Sequence, residues 1–417
     1  MPERTKAMKR IEDLAKDVKE ELLKNITPFW LSLKDDENGG FIGVVKYDLE
    51  REPHADKGVI LMSRIAWFFS SFYVAVKDGL ITEEDMSQYG YGKEDIKKAA
   101  ESAYLFIKEK CIDKEFGGVF WSVTYDGLPA DTTKHTYNQA FAIYAMSEYY
   151  RAFGDKEALS IAKELLSIIE GKMRDEGGYL EAFTRDFKPA SNEKLSENGV
   201  MATRTMNTLL HVMEGYSGLY RSSKDSEAGD RLREIYSIFK SHMYDEERDR
   251  QLVFFDHEYN SLIDLYSYGH DIETSWLMDM SADILGDSEW IPYIRRVTYE
   301  MAEAIYSEAF DGISLPSEAE NGVVREIRVW WVQAETINGF LNAFLRDQSE
   351  EKFLTAAEKQ WGYIKEHQID HRSGEWFADT NKDGSPVEGG DIVNGWKCPY
   401  HNGRMCLLVM RWAKERV

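Results

Sequence analysis

Apolar residues return every three to four positions along most of this chain, which is the spacing of one face of an α-helix. The pattern predicts about a dozen helices with ends uncertain by a few residues. The predicted helices span 3–33, 57–78, 93–110, 132–153, 156–171, 201–222, 225–242, 268–285, 288–308, 328–346, 350–366 and 400–414. Odd-numbered helices keep a charged face, whereas even-numbered ones are more apolar, most clearly at 59–76, 139–146 and 405–410. An all-α fold with the even helices buried is predicted.

Short, turn-rich stretches with aromatic residues follow each odd-numbered helix and predict small β-hairpins. They lie around Gly39, Gly117, Gly177, Leu252, Gly312 and Gly374. Six units of helix, hairpin and helix indicate a repeat architecture. Because the second helix of each unit is the more apolar, a closed ring with those helices inside is favoured over an open stack. No Pro-rich or Ser-rich linker interrupts the pattern, so residues 1–417 are predicted to form a single domain.

Polar and aromatic residues interrupt the apolar inner helices near their starts, which would all face one end of such a ring. A purely structural core would not need these residue types at matching positions. They are Arg64 and Trp67, then His135, Tyr137 and Asn138, then Asn207 and His211, then His270 and Glu273, then Trp330, Trp331 and Glu335, and finally His401 and Arg404. We therefore predict a common cavity lined by these side chains.

Two of these histidines, His270 and His401, each open a predicted helix inside a cluster of aromatic and polar residues. An imidazole has an unperturbed pKa of about 6.5 and can give or take a proton near neutrality, so this pair is the candidate for acid–base chemistry. A lone core histidine is more often hydrogen-bonded filler, and that alternative stays open for His135 and His211. Tryptophans usually pack in cores, but around a cavity their flat faces also suit sugar rings.

The chain is acidic, with a formal net charge of −23 and a pI near 4.9. Such a surface repels phosphate backbones and anionic lipids, so neither nucleic acid nor a membrane is an expected partner. The segment 59–76 approaches the length of a membrane span, but it contains Arg64 and three serines, which favours burial inside the protein. Three cysteines without zinc spacing, and a start without an apolar signal core, favour the cytoplasm. A monomer or weak homodimer is expected.

Sequence motifs for metal and nucleotide cofactors are missing. The chain has no H-E-x-x-H, no cysteine cluster, no G-x-G-x-x-G and no G-x-x-x-x-G-K-[ST]. His211, His270 and His401 could still converge as three metal ligands, which is the sharpest rival interpretation of these histidines. Chemistry without a cofactor is the simplest prediction.

Six strings of the sequence resemble those of a known family. They are ADKGVIL (55–61), KHTYN (134–138), LSENG (195–199), SYGHDIE (267–273), RVWWVQAE (328–335) and WKCPYHNGR (396–404). By these strings, which are spread over nearly the whole chain, it resembles the N-acylglucosamine 2-epimerase family, most closely the cellobiose 2-epimerases. The resemblance implies an (α/α)6 barrel and an isomerase that acts on sugars without a cofactor.

The resemblance also implies roles for residues of the predicted cavity. His270 and His401 match the two acid/base histidines of the family. Its polar pocket residues are matched by Arg64, Asn207, His211 and Glu273, and its sugar-stacking aromatics by Trp330, Trp331 and Trp396. Tyr137 and Arg404 are added as predicted substrate-binding residues because they lie near the starts of inner helices.

Inversion at C2 of a sugar requires ring opening, because the C2 proton becomes acidic only beside a C1 carbonyl. One base then removes this proton to give an enediolate, and a second group protonates the other face. We expect His270 and His401 to share the two faces, Arg64 to stabilise the anion, and Glu273 to accept a hydrogen bond from His270. The predicted substrate is the reducing-end glucose of cellobiose, with lactose or mannobiose as further disaccharides.

Three alternatives stay open at this point. The substrate could be a monosaccharide such as N-acetylglucosamine or mannose. A glycoside hydrolase on the same barrel would need two carboxylates about 5 to 9 Å apart, for which Glu273 and Glu335 are the strong candidates. A sugar-binding protein with a vestigial site would bind without turnover, although the intact set of polar residues argues against such decay.

Overall fold

The computed structural model describes residues 2–196 and 198–416, so Glu197 of the LSENG string lies outside the described residues. The α-helices within these ranges are α1 Pro2–Glu21, α2 Thr27–Leu31, α3 Val59–Lys77, α4 Glu83–Ser87, α5 Lys93–Phe106, α6 Thr136–Phe153, α7 Lys156–Lys172, α8 Met206–Ser223, α9 Ser226–Ile238, α10 Tyr268–Leu285, α11 Ile291–Ala304, α12 Trp330–Arg346, α13 Glu351–Tyr363 and α14 His401–Arg416. Several outer helices continue into a π-helical turn, at Leu22–Ile26, Ile107–Cys111, Phe239–Met243, Ile305–Ala309 and Ile364–Gln368.

The inner helices α3, α6, α8, α10, α12 and α14 form a closed ring, because each packs against the next and α14 packs against α3. Around them lie α5, α7, α9, α11, α13 and α1, each against one inner helix. The predicted (α/α)6 barrel is therefore confirmed. Glycine permits close contacts between inner helices: a Cβ on Gly215 would lie 2.7 Å from the carbonyl oxygen of Ala140, and one on Gly339 would lie 2.5 Å from the Ile272 side chain.

The predicted helix ends are correct to within about five residues. The largest difference is at α8, predicted from 201 but beginning at Met206, because Arg204–Thr205 pairs as a strand with Phe254–Phe255. The short helix α4 was not predicted; a capping box at Thr82 starts it. Its apolar content is too small to produce a periodic signal.

Short strands occupy the loops at the cavity end of the barrel. They are β1 Lys57–Gly58, β2 Ser122–Val123, β3 Pro129–Asp131, β4 Lys134–His135, β5 Arg174–Asp175, β6 Gly178–Tyr179, β7 Ala182–Phe183, β8 Arg204–Thr205, β9 Tyr244–Asp245, β10 Arg250–Gln251, β11 Phe254–Phe255, β12 Leu265–Tyr266, β13 Glu318–Glu320, β14 Val323–Arg325, β15 Arg328–Val329 and β16 Asp379–Thr380. The antiparallel sheets β1-β2-β3, β4-β7, β8-β11, β12-β13-β14 and β15-β16 join the loop before an inner helix to the loop of the next repeat. Neighbouring repeats are thus tied together around the cavity.

Most of the predicted hairpins are closed by local antiparallel pairing, as between β5 and β6 or between Ile112 and Val119. The segment around Gly312 is different. No local strand pairing occurs there among the described residues. The turn is held by the Asp311 carboxylate, which accepts hydrogen bonds from the backbone N–H groups of Ile313 and Ser314, as the aspartates of other hairpins also do at their turns.

An ion pair with a buried basic residue recurs two residues before the inner helices α3, α6, α8 and α12. It joins a basic residue to the aspartate of the preceding hairpin loop. The pairs are Lys57–Asp35 at 2.7 Å, Lys134–Asp113 at 3.1 Å, Arg204–Asp175 at 2.7 Å and Arg328–Asp311 at 2.6 Å. The corresponding residues before α10 and α14 are Tyr266 and Pro399. Each pair holds the residues just before an inner helix in place. It thereby sets the direction of the side chains in the first turns of that helix.

Among the described residues, one helix is long and apolar enough to cross a membrane, namely α3. Most of it is buried inside the barrel, against α5 and α6. This placement agrees with the burial predicted for the segment 59–76.

Candidate active site

A cavity of about 380 Å³ opens at the end of the barrel where the inner helices begin. It collects predicted site residues from all six inner helices or the loops before them. Its walls include Arg64, Tyr137, Asn207, His211, His270, Glu273, Trp330, Trp331, Trp396 and His401. The structure thus brings together residues that lie up to 337 positions apart in the chain, from Arg64 to His401.

Of the side chains predicted to line a common cavity, five lie outside its wall, namely Trp67, His135, Asn138, Glu335 and Arg404. Trp67 stacks on Tyr144, His135 packs against Trp121, and Asn138 donates to a carbonyl oxygen of the preceding loop.

The two imidazoles of His270 and His401 pack against the same indole, that of Trp331. Their ring centroids lie 4.8 Å and 5.6 Å from it. Burial lowers the pKa of each imidazole to about 3, and the positive end of the helix that each one opens also disfavours a charged ring. Both rings are therefore neutral near neutral pH, and each can accept a proton.

A carboxylate orients His401. Its Nδ1 lies 2.7 Å from Oε1 of Glu335, whose Oε2 accepts a hydrogen bond of 2.8 Å from the indole of Trp276. Burial opposes ionisation of Glu335, but the charge of Arg404 and the hydrogen bond to His401 hold its pKa well below the usual value. The carboxylate thus keeps the proton of the neutral ring on Nδ1 and leaves Nε2 free as the basic nitrogen.

A hydroxyl, and not the predicted Glu273, is the partner of His270. Ser267 Oγ lies 2.7 Å from Nδ1 of His270, three residues along the same helical turn. Glu273 instead turns to Arg404 on α14, whose Nη2 donates a hydrogen bond of 2.6 Å to its Oε1. A hydroxyl can donate or accept, so Ser267 can hold either tautomer of this ring.

Arg64 carries a buried positive charge at the cavity wall. Its guanidinium donates to the carbonyl oxygen of Trp396 at 3.0 Å and to the hydroxyl of Tyr137 at 2.9 Å, and it lies over the ring of Phe141. No carboxylate oxygen of a described residue lies within 4.0 Å of it. Its Nε has no hydrogen-bond partner. The site therefore holds a cation without a direct counterion, suited to an anion that forms in the cavity.

The remaining predicted residues offer polar atoms and aromatic faces. Asn207 has a buried side-chain oxygen without a partner, and His211 is held from behind by Glu214, 2.9 Å from its Nδ1. Trp396 is 39% exposed at the cavity mouth, whereas Trp330 is 5% exposed and packs edge-on against His401. Trp331 and Trp396 therefore have faces open to a ligand, and Trp330 mainly fixes His401.

Comparison with known proteins identifies the family. A model of the N-acylglucosamine 2-epimerase (GlcNAc 2-epimerase) family matches residues 86–403. A cellobiose 2-epimerase of Eubacterium cellulosolvens is 48% identical over 415 residues, which covers 95% of this chain and 98% of that protein. The chain belongs to the N-acylglucosamine 2-epimerase family. It is a carbohydrate epimerase, and hence an isomerase.

Solved structures of epimerases share the whole barrel. The crystal structure of a sugar epimerase from a ruminal bacterium has a TM-score of 0.90 at 43% identity and covers 97% of this chain and 99% of that one. The structure of a cellobiose 2-epimerase from Bacillus thermoamylovorans has a TM-score of 0.88 at 40% identity, with coverage of 96% and 99%. The resemblance and the fold predicted from the sequence are both confirmed.

Arg404 lies beneath the epimerase cavity and does not line it, contrary to its predicted contact with substrate. It is 1% exposed, and its guanidinium bonds Glu214, Glu273 and Glu335. A guanidinium with five donors is drawn to this group of carboxyls, because a buried charge without partners is very costly. It therefore holds Glu273, which lines the cavity, together with the carboxylates that bond His211 and His401 from behind.

Glu273, Glu335 and His401 form the one group in residues 2–196 and 198–416 whose ligand atoms are close enough for a metal ion. Nη2 of Arg404 already bonds both glutamates, at 2.6 Å and 2.7 Å. The protein's own cation thus occupies the position where a metal would compensate these charges. The alternative metal trio of His211, His270 and His401 is not such a group among the described residues.

Several residues at the site were not singled out from the sequence. Trp121 packs against Trp396 with centroids 5.7 Å apart and so supports the cavity mouth. Lys397 lines the cavity and lies 3.4 Å from Glu375, although it belongs to the string that marks the family. Ser267 precedes His270 by three residues, a spacing that already permits contact within one helical turn.

We expect Ser267→Ala to lower kcat about tenfold with little change in KM, because one hydrogen bond that orients His270 is lost. The Ser267 side chain does not cap α10, so the helix should remain intact. Ser267→Thr, which keeps the hydroxyl, should recover most of the rate. Steady-state kinetics and the ¹⁵N NMR shifts of His270 test this; unchanged kcat and shifts in the alanine variant would contradict it.

Proposed function

We propose that this epimerase inverts C2 of the reducing-end glucose of cellobiose, giving a mannose-type reducing end, and that lactose and mannobiose are further substrates. The names of the relatives support the disaccharide. The observation that carries the reaction is the pair of neutral imidazoles, His270 and His401, which both pack against Trp331 in one cavity with Arg64. An inversion needs proton transfer at both faces of one carbon, and two such bases supply it.

In the proposed reaction an imidazole first moves the O1 proton to O5, which opens the ring and creates the C1 carbonyl. Nε2 of one histidine then removes the C2 proton, and the electron pair of the broken C–H bond delocalises onto O1 as an enediolate. Rotation about C2–C3 presents the other face. The second histidine, which has taken up a proton from solvent, delivers it to C2 there, the first histidine returns the C2 proton to solvent, and ring closure completes the exchange. No atom is gained or lost, so the scheme needs no cofactor.

Arg64 stabilises the enediolate in this scheme. Its charge is permanent, it faces the cavity, and no carboxylate of the described residues neutralises it at contact distance. A fixed donor aimed at developing negative charge costs little reorganisation during the reaction. Asn207 and His211 bond sugar hydroxyls, and the faces of Trp331 and Trp396 hold the rings.

The test is NMR of cellobiose incubated with the protein in D₂O. We expect a mannose-type reducing end to appear with deuterium at C2, because the proton removed exchanges with solvent. Methyl β-cellobioside, whose ring cannot open, is the matched control and should remain unchanged. Release of free glucose would instead indicate a hydrolase, and cellobiose without any C2 exchange would contradict the proposed substrate.

The cellular setting is a further part of the proposal. Cys111, Cys398 and Cys406 are buried and unpaired, as suits a reducing cytoplasm. The proposed oligomeric state is a monomer or weak homodimer, which fits a cavity built from the six inner helices of one chain. Sedimentation analysis tests the oligomeric state.

A further inference from the structure

Three buried carboxyl groups surround the guanidinium of Arg404. Nη1 bonds Glu214, while Nη2 donates to Oε1 of Glu273 at 2.6 Å and to Oε1 of Glu335 at 2.7 Å. These carboxyls come from the inner helices α8, α10 and α12, and Arg404 comes from α14. The fully buried centre of the barrel is therefore an acidic cluster around one cation.

The charges of this centre do not balance when all three glutamates are ionised. Arg64 supplies a second positive charge nearby, while the histidines of the cavity are neutral. Three carboxylates against two guanidiniums leave one uncompensated negative charge in a buried region, which is strongly unfavourable. A single proton bound to one of the three carboxyl groups removes the excess negative charge of the whole cluster, as happens when two carboxyls share a site.

Hydrogen bonding shows which carboxyl holds the proton. Both oxygens of Glu335 accept hydrogen bonds, from His401 and Arg404 on one side and from Trp276 and Asn338 on the other. Both oxygens of Glu214 are likewise partnered, by Arg404 and Tyr400 and by His211. Oε2 of Glu273, by contrast, is buried with no partner. An ionised oxygen without a donor would be far more costly there than a hydroxyl.

We infer that Glu273 is a protonated carboxylic acid in the resting enzyme, and that its Oε2–H donates a hydrogen bond into the cavity. Glu273 lines the cavity, whereas Glu214 and Glu335 do not. Its other oxygen, as the carbonyl, accepts from Arg404. With a sugar bound, the hydroxyl would bond an oxygen that becomes negative in the enediolate, and the proton stays on Glu273. This second part rests on the proposed function; the protonation state does not.

The surroundings of Glu273 favour its neutral form. Burial, and after it the charge of Glu335, raises the pKa of Glu273 to about 8, against the opposing effect of Arg404. A carboxylic acid kept neutral in an apolar site so that it can donate to an enolate oxygen is a known catalytic solution. The charged or titratable groups that face it are Glu335 on α12, Glu214 and His211 on α8, Arg404, His401 and Tyr400 on α14, Arg64 on α3, Tyr137 on α6 and His270 on α10.

Infrared spectroscopy can detect the proton on Glu273 in the enzyme without substrate. At about pH 6, the difference spectrum between wild type and Glu273→Gln should show the loss of a protonated carboxylic C=O band that shifts in D₂O. Glu273→Met supplies the same difference if the glutamine variant does not fold. Loss of a carboxylate band instead would overturn the inference, whatever the enzyme's substrate is.

Glu181→Gln is the matched spectroscopic control. Burial raises the pKa of Glu181 to about 7, but its carboxyl oxygens accept hydrogen bonds from the backbone N–H of Thr205 and the hydroxyl of Thr208. The side chain lies outside the cavity wall. Its C=O band should therefore differ in position from that of Glu273, and its removal should leave the band of Glu273 in place. A single band lost in both variants would contradict the assignment.

The donor role is tested by kinetics with cellobiose. We expect Glu273→Gln, which keeps a weaker N–H donor, to lower kcat about tenfold, and Glu273→Met, which has none, to lower it about 10²- to 10³-fold. The wild-type rate should also fall as the pH rises above about 8, where Glu273 loses its proton, and this limb should vanish in Glu273→Gln. Equal losses in the two variants would overturn the donor role, as would a pH limb that persists in Glu273→Gln.

Discussion

Replacing His401 with Ala is expected to abolish exchange of the C2 proton with solvent and to lower kcat about 10²- to 10⁴-fold. His401 is the imidazole whose Nδ1 is held by an ionised carboxylate, Glu335, so its Nε2 is the more strongly oriented base. Replacing His270 should cost a similar factor, because one base cannot serve both faces of C2. Deuterium incorporation at C2 measures the proton transfer directly, apart from ring opening and product release.

The exposed His371 provides the matched control, since it lies on the outer surface away from the cavity. His371→Ala should keep the wild-type exchange rate. Circular dichroism should show the helical content of the barrel unchanged in all three variants. Full C2 exchange in either cavity variant would remove that histidine from the proposed mechanism.

The second large effect is expected on stability. Arg404→Met should lower the free energy of unfolding by about 3–5 kcal/mol, because it leaves buried acidic groups without the cation that they share. Glu214, Glu273 and Glu335 all bond this one guanidinium. Urea denaturation followed by circular dichroism measures the loss, and added acid should recover part of it by protonating the carboxyls.

Arg411→Met on the same helix is the control for this variant. Arg411 pairs with Asp78 at 3.0 Å, but both side chains are partly exposed, so the pair should contribute less than about 1 kcal/mol. If the two variants lost the same small amount of stability, the central role of Arg404 would be wrong.

The barrel was predictable from the sequence because its signal is local and repeated. Inner helices such as α3 are apolar around most of their circumference, outer ones are not, and hairpin loops mark each unit. The polar residues in the first turns of inner helices followed as candidates for a common cavity, because closure of a ring brings those turns together. These inferences need only the period of the helix and the order of the units.

The partners within the site were not predictable in the same way. The contact between Arg404 and Glu273 joins residues 131 positions apart on different inner helices, and periodicity does not give the rotation of one helix relative to another. The sequence placed Glu273 one turn from His270, but the hydrogen bond from Arg404 across the ring prevailed over that spacing. Trp330 and Trp331 are adjacent, yet one is buried beside His401 and the other contacts both imidazoles.

The order of helices around the ring separates the two groups of residues to which the proposed function assigns different tasks. His270, Trp331 and His401 come from α10, α12 and α14, which are consecutive, and α10 and α14 are the inner helices without the repeated ion pair at their entry. Tyr137, Asn207 and His211 come from α6 and α8 on the facing arc. In the proposed function, substitutions on that arc would therefore change the contacts to the sugar and leave the two proton-transferring histidines in place.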